Sequence, residues 1–464
     1  MRFRQVLAST SRGQFDVGWA YLRSPGSLLW TIALLVLFGV NAVTPGVGGP
    51  LPVALIWVAC LVLLATSNPR GLLSMEALYL LLLGLFHLGL IVPVALGVET
   101  DPRPEWLDSP YVSMALGLFT SATLSFTLGV RLGPSPEEEG EGILPPRSSL
   151  YWVGSLAALV GAGLLWVGIL QLGILSGAYG DYWEQALSAD VRFFGFGLML
   201  FPMGLVIAAV GSTPRQMLAL GLALALVTGP LFAGGFRGPL IVQAAALVVV
   251  WMRKDPRMAR GLAVLGTVSL LVVVPGVRLA RNLDTTLSEA LRTARPLDFV
   301  LEAGGSLYPL VATCALSRTE PFWMGRSYWM AARMIVPNVA LSSTPGRQEE
   351  RSLTPSAWVT KHMSPWEYEH GGGLGFSGVA EPYLNFGSWG VVVFFLLAGY
   401  VVRTCDRWLS GNQFRAAVVA AVFGFMLWTV RNEMLVVFRT VAYASLMVAA
   451  AWVVDRLGRG GTPP

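Results

Sequence analysis

The sequence predicts an all-α polytopic membrane protein, and three observations carry that prediction. Apolar runs of about twenty residues, the length of helix that crosses a bilayer core, recur along the whole chain. Hydrophobic residues make up 54% of it and charged ones 13%, with a mean hydropathy of +0.62, far from the balance of a soluble domain. The basic residues gather in alternate connections, which is the pattern that orients helices in a membrane.

About twelve spans meet the length rule. They run near 28–43, 51–66, 72–98, 111–132, 150–175, 193–210, 217–232, 239–252, 262–280, 389–402, 416–430 and 435–454. The basic start of the chain is followed by an apolar run without a cleavage pattern, so the first span is expected to be an uncleaved anchor. The chain reads as one integral membrane domain over 1–464, with one long extracytoplasmic loop, 281–388, between the ninth and tenth spans.

The connections orient these spans. With the N-terminus inside, the inner connections hold Arg70, Arg131, Arg147, Arg215, Arg253, Lys254, Arg257, Arg260, Arg403, Arg407 and Arg415. The short outer connections carry acids instead: Glu99, Asp101, Glu105, Asp108, Asp181, Glu184 and Asp190. This alternation places both termini in the cytoplasm and the long loop outside. The acidic inner stretch around Glu137 and Glu141 dissents, but acids weigh little in that rule. Inside the loop, 299–316 and 328–336 are apolar and are expected to form short re-entrant or interfacial helices.

Several chemistries are set aside. A net charge of +5 is explained by the inner connections, so nucleic acid is not implied. Cys60, Cys314 and Cys405 show neither pairing nor metal spacing, and three dispersed histidines offer no metal cage. Residues 373–378 fit a dinucleotide fingerprint by letter, but no strand precedes them and no βαβ unit surrounds them.

Ionisable residues at membrane depth are candidates for function. Arg237, Arg278, Arg281, Arg431 and Arg439 all fall on the outer side, against the orientation bias. A guanidinium binds a diphosphate in a bidentate fork and stays charged at low dielectric, so these five are candidate diphosphate ligands. Arg278 and Arg281 are three apart and share a face if their helix continues. Snorkelling to headgroups, or pairing with Glu433, is the plainer reading of any one of them. Glu381 stands beside the tenth span, where desolvation suits it to act as a general base, or where it pairs with one of the arginines. His370 and His362 are rival bases. His87, within the third span, reads as a helix-packing residue.

The run 375–391 contains Ala380, Glu381, Tyr383, Asn385 and Gly387 in the spacing Ala-Glu-x-Tyr-x-Asn-x-Gly ahead of a helix. It resembles the end of the large periplasmic loop in Wzy-type O-antigen polymerases. The Arg237–Gly238 pair, the two arginines before the loop and the count of spans are also similar to that family. The resemblance implies an inverting, metal-independent glycosyltransferase without a cofactor, similar to the membrane-embedded GT-C type. It implies undecaprenyl-diphosphate-linked oligosaccharide as substrate, polymerised at the outer face of the bacterial inner membrane. A separate chain-length-determining co-polymerase and the lipid bilayer are the implied partners. Tyr383 and Asn385 are then expected to bind glycan, and Glu381 or His370 to be catalytic.

The stretch around His370 does not match the loop-histidine motif of the related O-antigen ligases. A ligase, or a peptidoglycan polymerase of the shape-and-division type, would use the same kind of donor. A flippase or transporter would place charges near mid-span and often show an internal repeat, and neither is evident.

Overall fold

The computed structural model describes residues 49–100, 103–134, 145–174, 192–233, 238–282, 287–335 and 354–458, with a few positions between 33 and 41. The first span of the sequence reading and Arg237 therefore lie largely or wholly outside the described residues. The described elements are helices throughout, with no strand among them. They are α1 Pro50–Ser67, α2 Met75–Leu88, α3 Val112–Leu132, α4 Ser148–Gln171, α5 Arg192–Gly211, α6 Pro214–Ala233, α7 Gly238–Met252 and α8 Pro256–Asn282. There follow α9 Leu287–Thr293, α10 Pro296–Ala303, α11 Leu307–Leu316, α12 Arg326–Arg333, α13 Pro355–Met363 and α14 Pro365–Glu369. The last three are α15 Ala380–Trp408, α16 Gln413–Trp428 and α17 Leu435–Gly458.

Among the described residues, nine segments are long and apolar enough to cross a membrane, and three shorter apolar helices accompany them. Large apolar side chains stand outward along these segments, including Leu55, Leu159, Leu226, Val264 and Leu397. A contiguous outward apolar surface of this extent belongs in lipid.

Three boundaries differ from the sequence reading. The expected span 72–98 is broken: α2 ends at Leu88, and a separate turn follows at Ile91–Ala95. At the break, a Cβ on Gly89 would lie 2.5 Å from the Val300 carbonyl, so the chain there is crossed by the α10 segment. Within the expected loop, Pro296–Leu316 is itself long and apolar enough to span. Finally, α15 starts at Ala380, so Glu381 sits in a helical first turn.

The tightest helix pair is α4 with α5, and glycine makes it so. Gly154, Gly161 and Gly168 recur every seventh residue on one helix, Gly197, Gly204 and Gly211 on the other. A Cβ on Gly204 would meet the Ala158 amide nitrogen at 2.5 Å, and one on Gly168 would meet the Phe194 side chain at 2.6 Å. Lipid supplies no hydrophobic drive between helices, so close backbone packing of this kind is what holds them. The same device joins α3 to α15, where Gly129 faces the backbone at Leu396 and Gly399 that at Phe126.

At the C-terminal end of α15 a buried ionic network ties four elements together. Arg403 pairs with Glu76 of α2. Asp406 receives Arg70 Nη1 at 2.9 Å, Arg253 Nη2 at 3.1 Å and Asn68 Nδ2 at 3.1 Å. Charges taken out of water persist when each is paired and hydrogen-bonded in this way.

Candidate active site

The other end of α15 carries the candidate site, and a break in the helix builds it. Gly387 (φ 66°, ψ −157°) interrupts the helical ladder, a conformation glycine adopts without steric cost. The carbonyls of Leu384 and Asn385, freed by the break, accept from the amides of Trp323 and Met324 at 3.0 Å each. This docks the start of α12 on the break. At the end of α12, Arg439 Nε of α17 donates to the Met334 carbonyl at 2.7 Å and Tyr443 Oη to that of Ile335 at 2.7 Å. A guanidinium there satisfies an orphan carbonyl and complements the helix dipole.

The glycine-rich run before α15 lies along the turn between α16 and α17. Phe376 N donates to the Arg431 carbonyl at 2.9 Å and Gly378 N to that of Val430 at 3.4 Å. A Cβ on Gly378 would stand 2.5 Å from the Thr429 carbonyl, so only glycine allows this approach. Ser377 then starts the helix: its Oγ accepts from Val379 N at 3.1 Å and Ala380 N at 3.3 Å. His87 Nε2 lies 2.7 Å from the same hydroxyl and Nδ1 2.8 Å from the Leu83 carbonyl. The carbonyl can only accept, so Nδ1 carries the proton and Nε2 accepts from Ser377. His87 is a packing residue, as its position in the sequence suggests.

Glu381 is the buried centre of this assembly, 1% exposed. Its Oε1 accepts from Ser327 Oγ of α12 at 2.7 Å, and its Oε2 from the Met434 amide at 2.7 Å. Asn385, fully buried, donates to Ser327 Oγ and to the Glu381 carbonyl, both at 2.8 Å. One carboxylate thus fastens three separate elements: α15, α12 and the 428–434 turn.

This placement bears on two expectations. Glu381 is not paired with an arginine among the described residues; each of its oxygens accepts one hydrogen bond from the protein, and the carboxyl lies buried rather than open to an acceptor hydroxyl. Asn385 and Tyr383 face inward and are buried. The Asn385 amide is spent on Ser327 and its own helix, and Tyr383 packs edge-on to Phe322.

The cations are placed unevenly. Arg431 is exposed in the turn, its side chain against Gly375, and Arg439 is half-buried beside the end of α12. Met434, which holds Glu381, lies between them. Arg278 and Arg281 fall in the last turns of α8, which does continue through both, but their side chains lie outside what the structure describes. His370 ends α14, its ring stacked on Trp366 at 4.3 Å and Nδ1 bonded to the Trp366 carbonyl at 2.8 Å. It is not among the partners of Glu381. Two exposed arginines went unnoticed in the sequence, Arg326, 5.5 Å over the Trp323 ring, and Arg333. Their seven-residue spacing on one short helix was the signal that could have found them. Among the described residues, no three His, Cys, Asp or Glu side chains gather.

The family model of the O-antigen polysaccharide polymerase Wzy matches residues 156–456, well over half of the chain. The chain belongs to the Wzy family. The matched region starts within α4 and ends within α17, so it takes in Glu381 and the arginine-bearing elements gathered around it. Wzy membership supports O-antigen polymerisation as the broad function, with a lipid-linked oligosaccharide as substrate and embedding in a membrane. No curated protein and no solved structure matches the chain.

Proposed function

We propose that this Wzy protein joins undecaprenyl-diphosphate-linked oligosaccharide repeat units at the outer face of the bacterial inner membrane, by single inverting displacement without a metal. The observation that carries the proposal is the gathering of arginine-bearing elements, α12, the 428–434 turn and α17, around one buried carboxylate in a Wzy chain. An acceptor hydroxyl oxygen attacks the anomeric carbon of the growing glycan. The bond from that carbon to the diphosphate oxygen breaks, its electron pair leaves with the lipid diphosphate, and the hydroxyl proton passes to a base.

Fixed guanidinium groups are suited to the charge that develops on the leaving diphosphate. Arg431 and Arg439 take this role with Arg326 and Arg333, and Arg237, Arg278 and Arg281 extend it. His370 is the base. Its Nδ1 faces the Trp366 carbonyl and so holds the proton, which puts the basic lone pair on Nε2. Glu381 is a positioning residue, acting through the turn and helix that it fastens. A co-polymerase sets the chain length.

Release of lipid diphosphate tests the reaction type. Purified protein given lipid-linked repeat units should release one lipid diphosphate per glycosidic bond formed, in chelator as in buffer. Movement of the intact lipid across vesicles without release would instead identify a flippase.

A further inference from the structure

The two histidines of the long loop stand in one local structure, repeated eight residues apart. Trp358 and His362 are a helical turn apart on α13, and Trp366 and His370 are placed likewise on α14 and its C-cap. The ring centroids are 5.2 Å apart in the first pair and 4.3 Å in the second. In each pair, Nδ1 of the histidine lies 2.8 Å from the carbonyl of its tryptophan. A carbonyl only accepts, so both histidines carry the proton on Nδ1 and the lone pair on Nε2. The second pair holds the base of the proposed reaction. The first has no part in it.

The first pair continues into a row of planar groups. Trp358 meets the Trp323 ring at 5.6 Å, edge to face, and the Arg326 guanidinium lies 5.5 Å from the Trp323 centroid. The row therefore joins His362 to α12, the helix that Glu381 fastens. Trp358 and Trp323 are half-buried, whereas His362 is exposed and Trp366 is 68% exposed.

These rings face water rather than acyl chains. Leu374 N donates to Thr360 Oγ1 at 3.1 Å, which fixes α13 to the glycine-rich run along the turn between α16 and α17. Both helices thus stand off the ends of the spans, and Lys361 and Glu369 on them are exposed. An indole face is negative, so it repels a free anion and attracts the C–H face of a sugar ring. The imidazole beside each indole adds a nitrogen that accepts from a sugar hydroxyl. An apolar plate with one polar group at its edge is the usual composition of a small-molecule site.

We propose that the two Trp–His pairs are sugar-binding subsites for the lipid-linked oligosaccharide, one at the base and one beyond it. This assignment rests on the glycan-joining function proposed above.

The test needs no turnover. The repeat-unit oligosaccharide, freed from its lipid diphosphate by mild acid, is titrated into the full chain in detergent and followed by saturation-transfer NMR. Wild type should bind it saturably, with transfer strongest at ring C–H protons. W366L removes an indole but keeps the backbone carbonyl that orients His370, and H362Q removes the imidazole of the other pair. Each should weaken binding about fivefold, while W366F should stay within about twofold of wild type. Both positions are exposed, so the variants keep the fold. Equal affinity in wild type, W366L and H362Q would overturn the subsites, as would no saturable binding by wild type. Glycan ladders from wild type beside either result would leave the polymerase reading standing. Weakened binding in both variants, with no ladder from wild type, would keep the subsites and overturn polymerisation.

Discussion

The carboxylate of Glu381 accepts the backbone amide of Met434 at 2.7 Å, across 53 residues of chain. The contact links the first turn of α15 to the turn that presents Arg431 and precedes Arg439. A single buried acid thereby sets the position of cations it does not itself touch.

Replacing Glu381 separates position from charge. Glu381→Ala leaves the Ser327 hydroxyl and the Met434 amide buried without an acceptor, at a cost of about 2–4 kcal/mol. Thermal unfolding in detergent should show the loss, together with the loss of polymer. Glu381→Gln keeps an acceptor for Met434 and should polymerise within about tenfold of wild type. Loss of a general base would cost about a hundredfold or more, so a drop of that size would return Glu381 to the chemistry.

The ionic network at the other end is predicted to be a stability element. Asp406→Asn strands Arg70 and Arg253 without their carboxylate and should cost about 3–5 kcal/mol, read as a lower unfolding temperature.

Close packing of α4 on α5 makes a third prediction. Gly204→Leu places a side chain against the backbone at Ala158 and should destabilise by about 1–3 kcal/mol or prevent insertion. Gly163→Leu is the control: no atom lies within 4 Å of a Cβ there, and the change should fall within about 0.5 kcal/mol.

The helical membrane fold was legible because apolar runs and arginine placement both report on the bilayer. What escaped was packing that depends on partners. The seven-residue glycine repeats of 154–168 and 197–211 look like scattered small residues until two backbones are seen to meet there. The loop was only partly legible, since Pro296–Leu316 is apolar but is interrupted by Gly304 and Gly305, which mask a continuous span. For the site, residue types singled out Glu381, yet no sequence pattern announces that Ser327 and Met434 will claim both of its oxygens. Tyr383 and Asn385 followed from motif spacing alone. Spacing says nothing about which way a helix faces.

Glu433 gives the turn a pH dependence. Burial raises its pKa above the ordinary 4.5, with hydrogen bonds from Ser356 opposing in part. A raised carboxyl keeps its proton in the fold after the unfolded chain has released it. The contribution to stability is therefore full below about 4.5 and is lost as pH rises through the folded value. Glu433→Gln should remove this slope from unfolding temperatures measured between acidic and neutral pH, and an unchanged slope would count against the burial argument.

Arginine geometry should matter as well as charge. Arg439→Lys keeps the cation but loses the fork and the Nε donor to Met334. Polymer formation should fall about tenfold or more while the protein still inserts and elutes as a folded species.

The measurement closest to the central claim is chain growth by the purified Wzy protein itself. Given undecaprenyl-diphosphate-linked repeat units and no other protein, wild type should yield a ladder of glycans spaced by one repeat. His370→Ala and Arg431→Ala should remove the ladder while leaving the folded protein intact. A ladder of wild-type intensity from both variants, or no ladder from the folded wild type, would contradict the account.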